Sequence, residues 1–399
     1  MDRRSFLTAG TGLVAAGAAA TAALTSNSNA ALAAGSATTP TVYNFGAVGD
    51  GYTDDSAAFS KALAWAASNG QMVVVPAGKY GIANTISWGS GSINVGSPWG
   101  FAAQGATLVS RITNGADVMF LQAQNTSDIR YFRIVGGMEI MGTGSDGNGL
   151  HIQGLSGNSG FYNFVIEGLT VVGCKNGLFL DGNVFECNIN SCFFMDLKQD
   201  GIELANNGAG ICSTININNC YFSQNGRYGL YTFDVHNQYG GPYDVRITGG
   251  YARNNQSFAF YFNNGNSGAV TNVGFENNCM SKKPGDPSGG HVYGGVHVNM
   301  RDCVGFAMYT GATYLVQGYF MQSSILDNCT NWSGGATAAA GPVKLVNING
   351  QSGGAVLMTN SNGGFDGTHG SGVKWIAANC TGPSAWGNLN PIGTMSGTF

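Results

Sequence analysis

The chain has 399 residues, of which 10% are charged and 64 are glycine, and its formal net charge is −4. It contains no run of lysine or arginine, which argues against nucleic acid as a partner. So little charge, with so much glycine, asparagine and β-branched sequence, predicts many short strands joined by tight turns.

The first 34 residues read MDRRSFLTAGTGLVAAGAAATAALTSNSNAALAA. Arg3 and Arg4 precede Phe6 and Leu7, a weakly apolar Ala/Gly run follows, and Ala31-Leu32-Ala33 supplies small residues for a signal peptidase. Residues 1–33 are therefore expected to be a cleavable bacterial export segment of the twin-arginine type, giving a periplasmic or secreted protein. The run is short and dilute for a spanning helix, so no membrane association is expected after cleavage.

Next come Asn44-Phe45-Gly46-Ala47-Val48-Gly49-Asp50-Gly51, Thr53-Asp54-Asp55, Ala58-Phe59 and Lys61-Ala62-Leu63. After Asn69-Gly70 follow Val73-Val74-Val75-Pro76-Ala77-Gly78-Lys79-Tyr80. This pattern predicts a turn, a helix starting near Thr53 and ending at Asn69-Gly70, and a buried strand. Phe59, Leu63 and Ala66 share one helical face, which could plug the open end of a solenoid. Asp50, Asp54 and Asp55 read as turn and helix-start residues rather than catalysts. The stretch resembles the N-terminal signature of the pectate-lyase-like superfamily, which includes rhamnogalacturonases, polysaccharide lyases, alginate C5-epimerases and phage tailspike proteins. The resemblance implies a right-handed parallel β-helix; it does not specify the reaction.

Repeats organise the remainder. Gly149-Leu150-His151-Ile152, Gly177-Leu178-Phe179-Leu180, Gly201-Ile202-Glu203-Leu204, Gly229-Leu230-Tyr231-Thr232, Ala259-Phe260-Tyr261-Phe262 and Gly295-Val296-His297-Val298 begin 28, 24, 28, 30 and 36 residues apart. A second strand type lies between them, as in Ile189-Asn190 and Ile217-Asn218. Drifting periods with two to three strands each describe a solenoid of coils. The expected fold is all-β, a single-stranded right-handed parallel β-helix over residues 40–385 with an N-terminal capping α-helix and a tail at 386–399. Apolar residues on both sides of the middle position point inward, so the middle position points out. The outward column then reads His151, Phe179, Glu203, Tyr231, Tyr261, His297. The next reads Gln153, Asp181, Ala205, Phe233, Asn263, Asn299, and the residues before each glycine add Asn148, Asn176, Asp200 and Tyr228. Rings, amides and carboxylates in a long groove suit a polysaccharide or oligosaccharide, which offers apolar ring faces and many hydroxyls. His151, Phe179, Asp181, Tyr231, Tyr261, Asn263 and His297 are the candidate substrate-binding residues.

The middle coils hold the densest cluster of ionisable groups: Lys198, Asp200, Glu203, Tyr228, Asp234 and His236. A lyase or epimerase needs a base, a cation to neutralise a uronate carboxylate, and often a tyrosine acid. A glycoside hydrolase needs two carboxylates, for which Asp181, Asp200 and Glu203 are the candidates. A purely binding or tailspike-like protein needs only the groove. The order Lys198-Gln199-Asp200-Gly201, then Tyr228-Gly229 and Phe233-Asp234-Val235-His236, is similar to that of alginate C5-epimerases. That resemblance implies that Lys198 and Asp200 hold a uronate carboxylate, that Tyr228 is acid or base, and that Asp234 and His236 complete the machinery. In this sequence Tyr231 stands where those enzymes place their first strand aspartate. Lyase-type proton abstraction at a uronate is the favoured expectation, and hydrolysis the alternative.

No cofactor is required by any motif. Asp181, Asp200 and Glu203 would suit Ca²⁺ if a cation takes part, and no zinc spacing occurs. The nine cysteines recur after Asn-like positions, as at Cys192, Cys220, Cys279 and Cys329, which predicts a column of buried thiols rather than disulfides. Ser281–Gly290 reads as a loop shaping one wall of the groove.

Overall fold

The computed structural model describes residues 39–90, 96–124, 128–155, 159–207, 210–234, 241–262, 268–281, 290–294, 298–307, 314–318, 324–333, 344–348, 355–361, 364–366 and 374–378. The leader, His236, Asn263, positions 282–289, His297 and the tail at 386–399 lie outside the described residues.

Among the described residues from Thr41 onward, the chain winds into coils whose strands stack in three parallel sheets of 14, 11 and 11 strands. One coil shows the plan: Val165–Glu167 lies in the first sheet, Thr170–Val172 in the second and Asn176–Asp181 in the third. The chain is thus a right-handed parallel β-helix. Its interior is filled in register. Leu150, Leu178, Ile202 and Leu230 stack in the third sheet, and Ile166, Ile189, Ile217 and Ile247 in the first. All are buried, each contributing about 1.5–3 kcal/mol over an exposed position. An aromatic stack, Phe194–Phe222–Phe260–Phe275–His291, runs up the axis with centroids 5.4–5.6 Å apart.

Helix α1, Ser56–Asn69, caps the first coil, and Gly70 ends it in the left-handed conformation. Phe59, Leu63 and Ala66 are fully buried, with the Phe59 ring edge-on to Tyr80 and Phe101. The three early aspartates are structural. Asp55 accepts the Val48 and Gly49 amides, Asp50 those of Tyr52 and Thr53, and Asp54 those of Ser56 and Ala83.

Asparagine is abundant for a geometric reason. The residue after the later first-sheet strands takes positive φ: Ser191, Asn219, Asn272, Asp302, Asn328 and Asn360 lie between 49° and 54°, and Gly249 at 66°. Asn and Asp tolerate that conformation better than most residues. Just past this corner, Cys192, Cys220, Cys303 and Cys329 each give the Sγ–H to the carbonyl two residues back. Cys303 therefore belongs to the thiol column, whereas Cys279 sits elsewhere, donating to the Gly290 carbonyl beside Phe258. All eight described cysteines are buried thiols outside any disulfide.

One repeat was misassigned from sequence. Val298–Arg301 belongs to the first sheet, where Asn299 pairs with Ala269, and the third-sheet strand is Gly290–Gly294. The outward column continues from Tyr261 to Tyr293, not to His297. Gly294 stands where the repeat has an apolar residue after the outward position, so Gly295-Val296-His297-Val298 fits the repeat better in sequence although Val298 pairs in the first sheet.

Candidate active site

The outer face of the third sheet carries the column Phe120, His151, Phe179, Glu203, Tyr231, Tyr261, Tyr293 in continuous register. Its centre is an ion-pair cluster. Asp200, fully buried, accepts two bonds from Arg227 Nε at 2.9 and 3.1 Å, a further bond from Arg227 Nη2, and the Tyr228 N–H at 3.0 Å. Arg227 Nη2 also reaches Glu203 Oε1 at 3.2 Å, while Asn176 Nδ2 donates to Glu203 Oε2 at 2.7 Å. The guanidinium lies over the rings of Tyr231 and Tyr228, 4.6 and 5.2 Å from their centroids, a favourable cation–π position.

Burial, followed by the charge of Asp200, pushes the Glu203 carboxyl up to about 7. Burial also lifts Asp200, and Arg227 works against that rise. Burial raises the Tyr228 phenol, again opposed by Arg227, so Tyr228 is protonated at neutral pH. Glu203 is therefore the group poised to exchange a proton near neutrality.

One edge of the cluster is polar. Asn176 Nδ2 also donates to Asn148 Oδ1, and Asn148 Nδ2 to Asp117 Oδ1. His151 then bridges Asp117 (Nδ1, 2.8 Å) and Asp181 (Nε2, 3.0 Å). Burial disfavours the imidazolium, but the two carboxylates outweigh it and lift His151 to about 9. At neutral pH its two ring N–H groups are thus committed to aspartates, and its face stacks on Phe179 at 4.6 Å. The other edge is aromatic. Tyr228, Tyr231 and Tyr261 contact one another at 4.9–5.6 Å, and Tyr261 stacks on Tyr293 at 4.3 Å.

Several sequence-based assignments change. Lys198 is exposed, with its Cε beside Gly144, and Asp200 takes Arg227 as its cation instead. Asp181 is buried, its oxygens taken by His151, Gln153 and Asn207, so it does not face substrate. Asp200 is likewise sealed and cannot act as a hydrolytic base or nucleophile. For the same reason the proposed Ca²⁺ ligands do not fit: Asp200 is neutralised by Arg227 and Asp181 by His151, and among the described residues no three acidic, His or Cys groups could hold a metal. Asp234 ends its strand half-buried, opposite Asn206. The structure brings together Glu203, Asp200, Tyr228, Tyr231 and Tyr261, and adds Arg227 and Lys175. The latter two lie two residues before the aligned glycines. Backbone bonds Gln199 N–H to Lys175 O and Arg227 N–H to Gln199 O put them in one column, a step beyond the positions read from sequence.

This fold and groove define a right-handed parallel β-helix protein with an ionisable cluster on one sheet. A family model described as rhamnogalacturonase A/epimerase, pectate lyase-like, matches residues 41–124, so the N-terminal part of the chain is similar to that family. No curated protein matches the sequence. Among solved structures, the chain is similar to the A-module of mannuronan C-5 epimerase AlgE6 from Azotobacter vinelandii, at 16% identity and a TM-score of 0.57, over 86% of this chain and 98% of that one. It is also similar to the family 28 exopolygalacturonase of Yersinia enterocolitica, at 16% identity and a TM-score of 0.51, over 86% and 78%. A third likeness, to ORF18 of Geobacillus virus E2, has 18% identity and a TM-score of 0.48 over 86% of this chain, which spans only 59% of that protein.

Proposed function

We propose that this chain is an exported enzyme that binds a polysaccharide along the third sheet and eliminates at a uronate through proton transfer by Glu203. The observation that carries this reading is the position of Glu203. Its carboxyl, lifted to about 7, stands in the groove between the Arg227 guanidinium and the Asn176 amide. Nε and Nη2 of Arg227 face the protein carboxylates, which leaves Nη1 to receive the uronate carboxylate and acidify the adjacent C–H. Glu203 takes that proton as the C4–C5 double bond forms and the C4–O bond breaks. Tyr228 gives its proton to the departing oxygen, and solvent then resets both groups. Tyr231, Tyr261 and Tyr293 would hold sugar rings on one side. The epimerase and exopolygalacturonase likenesses support carbohydrate chemistry on this fold but do not choose the reaction.

Export is part of the same proposal. Buried thiols outside any disulfide suit a protein that folds in the reducing cytoplasm before twin-arginine transport.

The test follows ultraviolet absorbance of unsaturated uronate and new reducing ends in parallel, over a panel of uronate polysaccharides and across pH. Elimination predicts rising absorbance, lost in Glu203→Gln, with a rate that climbs through about pH 7 as Glu203 ionises. Hydrolysis would use Glu203 as the acid at the same raised pKa but needs a second carboxylate besides the enclosed Asp181 and Asp200. It predicts reducing ends without absorbance and a rate that falls through about pH 7. Neither signal, with substrate still bound, would leave a binding protein.

A further inference from the structure

A second cleft lies away from the groove, on the corner where the chain passes from the second sheet to the third. It has a volume of about 460 Å³ and is lined by Asp196, Gln224, Asn254, Gln256, Asn277 and Met280. That volume falls within the range of about 300–1,000 Å³ typical of small-molecule sites.

The lining is built by the repeat. Asp196, Gln224, Asn254 and Asn277 occupy the same corner of four successive coils, all in the left-handed conformation. Each is pinned by its backbone N–H to the coil above, Asp196 to Ser223 O, Gln224 to Arg253 O, Asn254 to Glu276 O and Asn277 to Phe306 O, at 2.7–3.1 Å. Their side chains therefore rise in steps of about 4.8 Å on a rigid wall. Gln224 Nε2 already orients Asp196 through a 2.6 Å bond. The side-chain amides of Asn254 and Gln256 make no hydrogen bond to any described residue, so their donors and acceptors are open to a ligand.

These features select a ligand class. Amides and a carboxylate offer paired donors and acceptors at fixed spacing, which matches vicinal hydroxyls. Met280, 43% exposed, gives one apolar patch for a sugar face. Among the described lining residues the one charged group is Asp196, which disfavours an anionic ligand. Met280 is the one apolar side chain among the described lining residues, too little for the apolar core of a protein interface. The geometry points to a secondary site for a short neutral oligosaccharide, separate from Glu203 and independent of the reaction assigned to it.

The experiment uses the full chain with groove binding disabled by Tyr231→Ala and Tyr261→Ala. β-Linked gluco-, manno- and xylo-oligosaccharides are titrated by calorimetry and saturation-transfer NMR, with oligogalacturonate as the anionic control. Expected is saturable binding of at least one neutral series, stronger than that of the control. Adding Asn254→Gly, which keeps the left-handed backbone, and Gln256→Ala should weaken it at least about tenfold. Met280→Glu, at an exposed position, is the second probe and should weaken it independently if the first pair disturbs folding. No saturable neutral binding, or binding unchanged in both cleft variants, overturns the assignment. Neutral binding that appears only when Tyr231 and Tyr261 are restored would place the sugar in the groove and overturn it equally.

Discussion

Replacing Arg227 with methionine tests the central cluster most directly. Methionine keeps much of the aliphatic packing over Tyr228 and Tyr231 but removes the cation from a carboxylate with no solvent exposure. Breaking a fully buried ion pair from one side costs roughly 3–5 kcal/mol. Arg227 is 36% exposed and Asp200 keeps the Tyr228 N–H, so the cost scales down to about 2 kcal/mol. The loss must depend on pH in a stated direction. Without Arg227, only the Tyr228 N–H and the more weakly acting Lys175 oppose the rise that burial gives Asp200 above its ordinary value of 3.8. Below that ordinary value the group is protonated in folded and unfolded chains alike, and the penalty is small. As pH rises, the unfolded chain ionises first, and the deficit grows until it is full above the variant's folded pKa. Urea unfolding near pH 4 and about pH 7.5 should show a deficit more than halved at the acid end. Asp200→Asn in the Arg227→Met background should recover most of it at about pH 7.5. Equal deficits at both pH values, or a methionine variant as stable as the parent at about pH 7.5, would refute the account.

His151 gives the opposite sign. Its folded pKa of about 9 lies above the ordinary 6.5, so the stability it contributes is complete below about pH 6.5 and is lost as pH rises through about 9. The shift corresponds to about 3 kcal/mol at most, and the advantage of the parent over His151→Asn should shrink across that window in chemical unfolding. Glu203→Gln should lower turnover by about 10²–10⁴ while leaving binding of the polysaccharide largely intact, measured as separate effects on kcat and KM. Gly182, with φ at +73° and its missing Cβ aimed at the Gly154 carbonyl, should not tolerate alanine; a loss of about 3 kcal/mol or more in urea unfolding is expected. Thermal stability should be unchanged by strong reductant, because the described cysteines lie outside any disulfide; a lowered midpoint would contradict the thiol column.

The fold was legible because a parallel solenoid writes itself into sequence as a repeat. Leu150, Leu178, Ile202 and Leu230 must each fill the same interior layer, so the apolar-x-apolar pattern recurs wherever the coil length is kept. It failed where the strand itself departs from the pattern: Gly294 replaces the apolar residue after Tyr293, and Gly295-Val296-His297-Val298 matches the pattern instead. The site was half legible for a related reason. Residues on strands inherit their direction from the pleat, which is why Glu203, Tyr231 and Tyr261 could be placed outward from sequence alone. Residues in turns carry no such rule. Lys198 and Arg227 are both turn cations near a third-sheet strand, and Lys198 is the closer in sequence to Asp200. Yet Lys198 lies over the Gly144 turn, whereas Arg227, one coil later, covers Asp200 and Glu203. What separates them is the stacking of turns: the Arg227 N–H bonds to the Gln199 carbonyl, which lays the guanidinium over the neighbouring Asp200, so the partner of this acidic turn residue lies one coil away rather than two residues away.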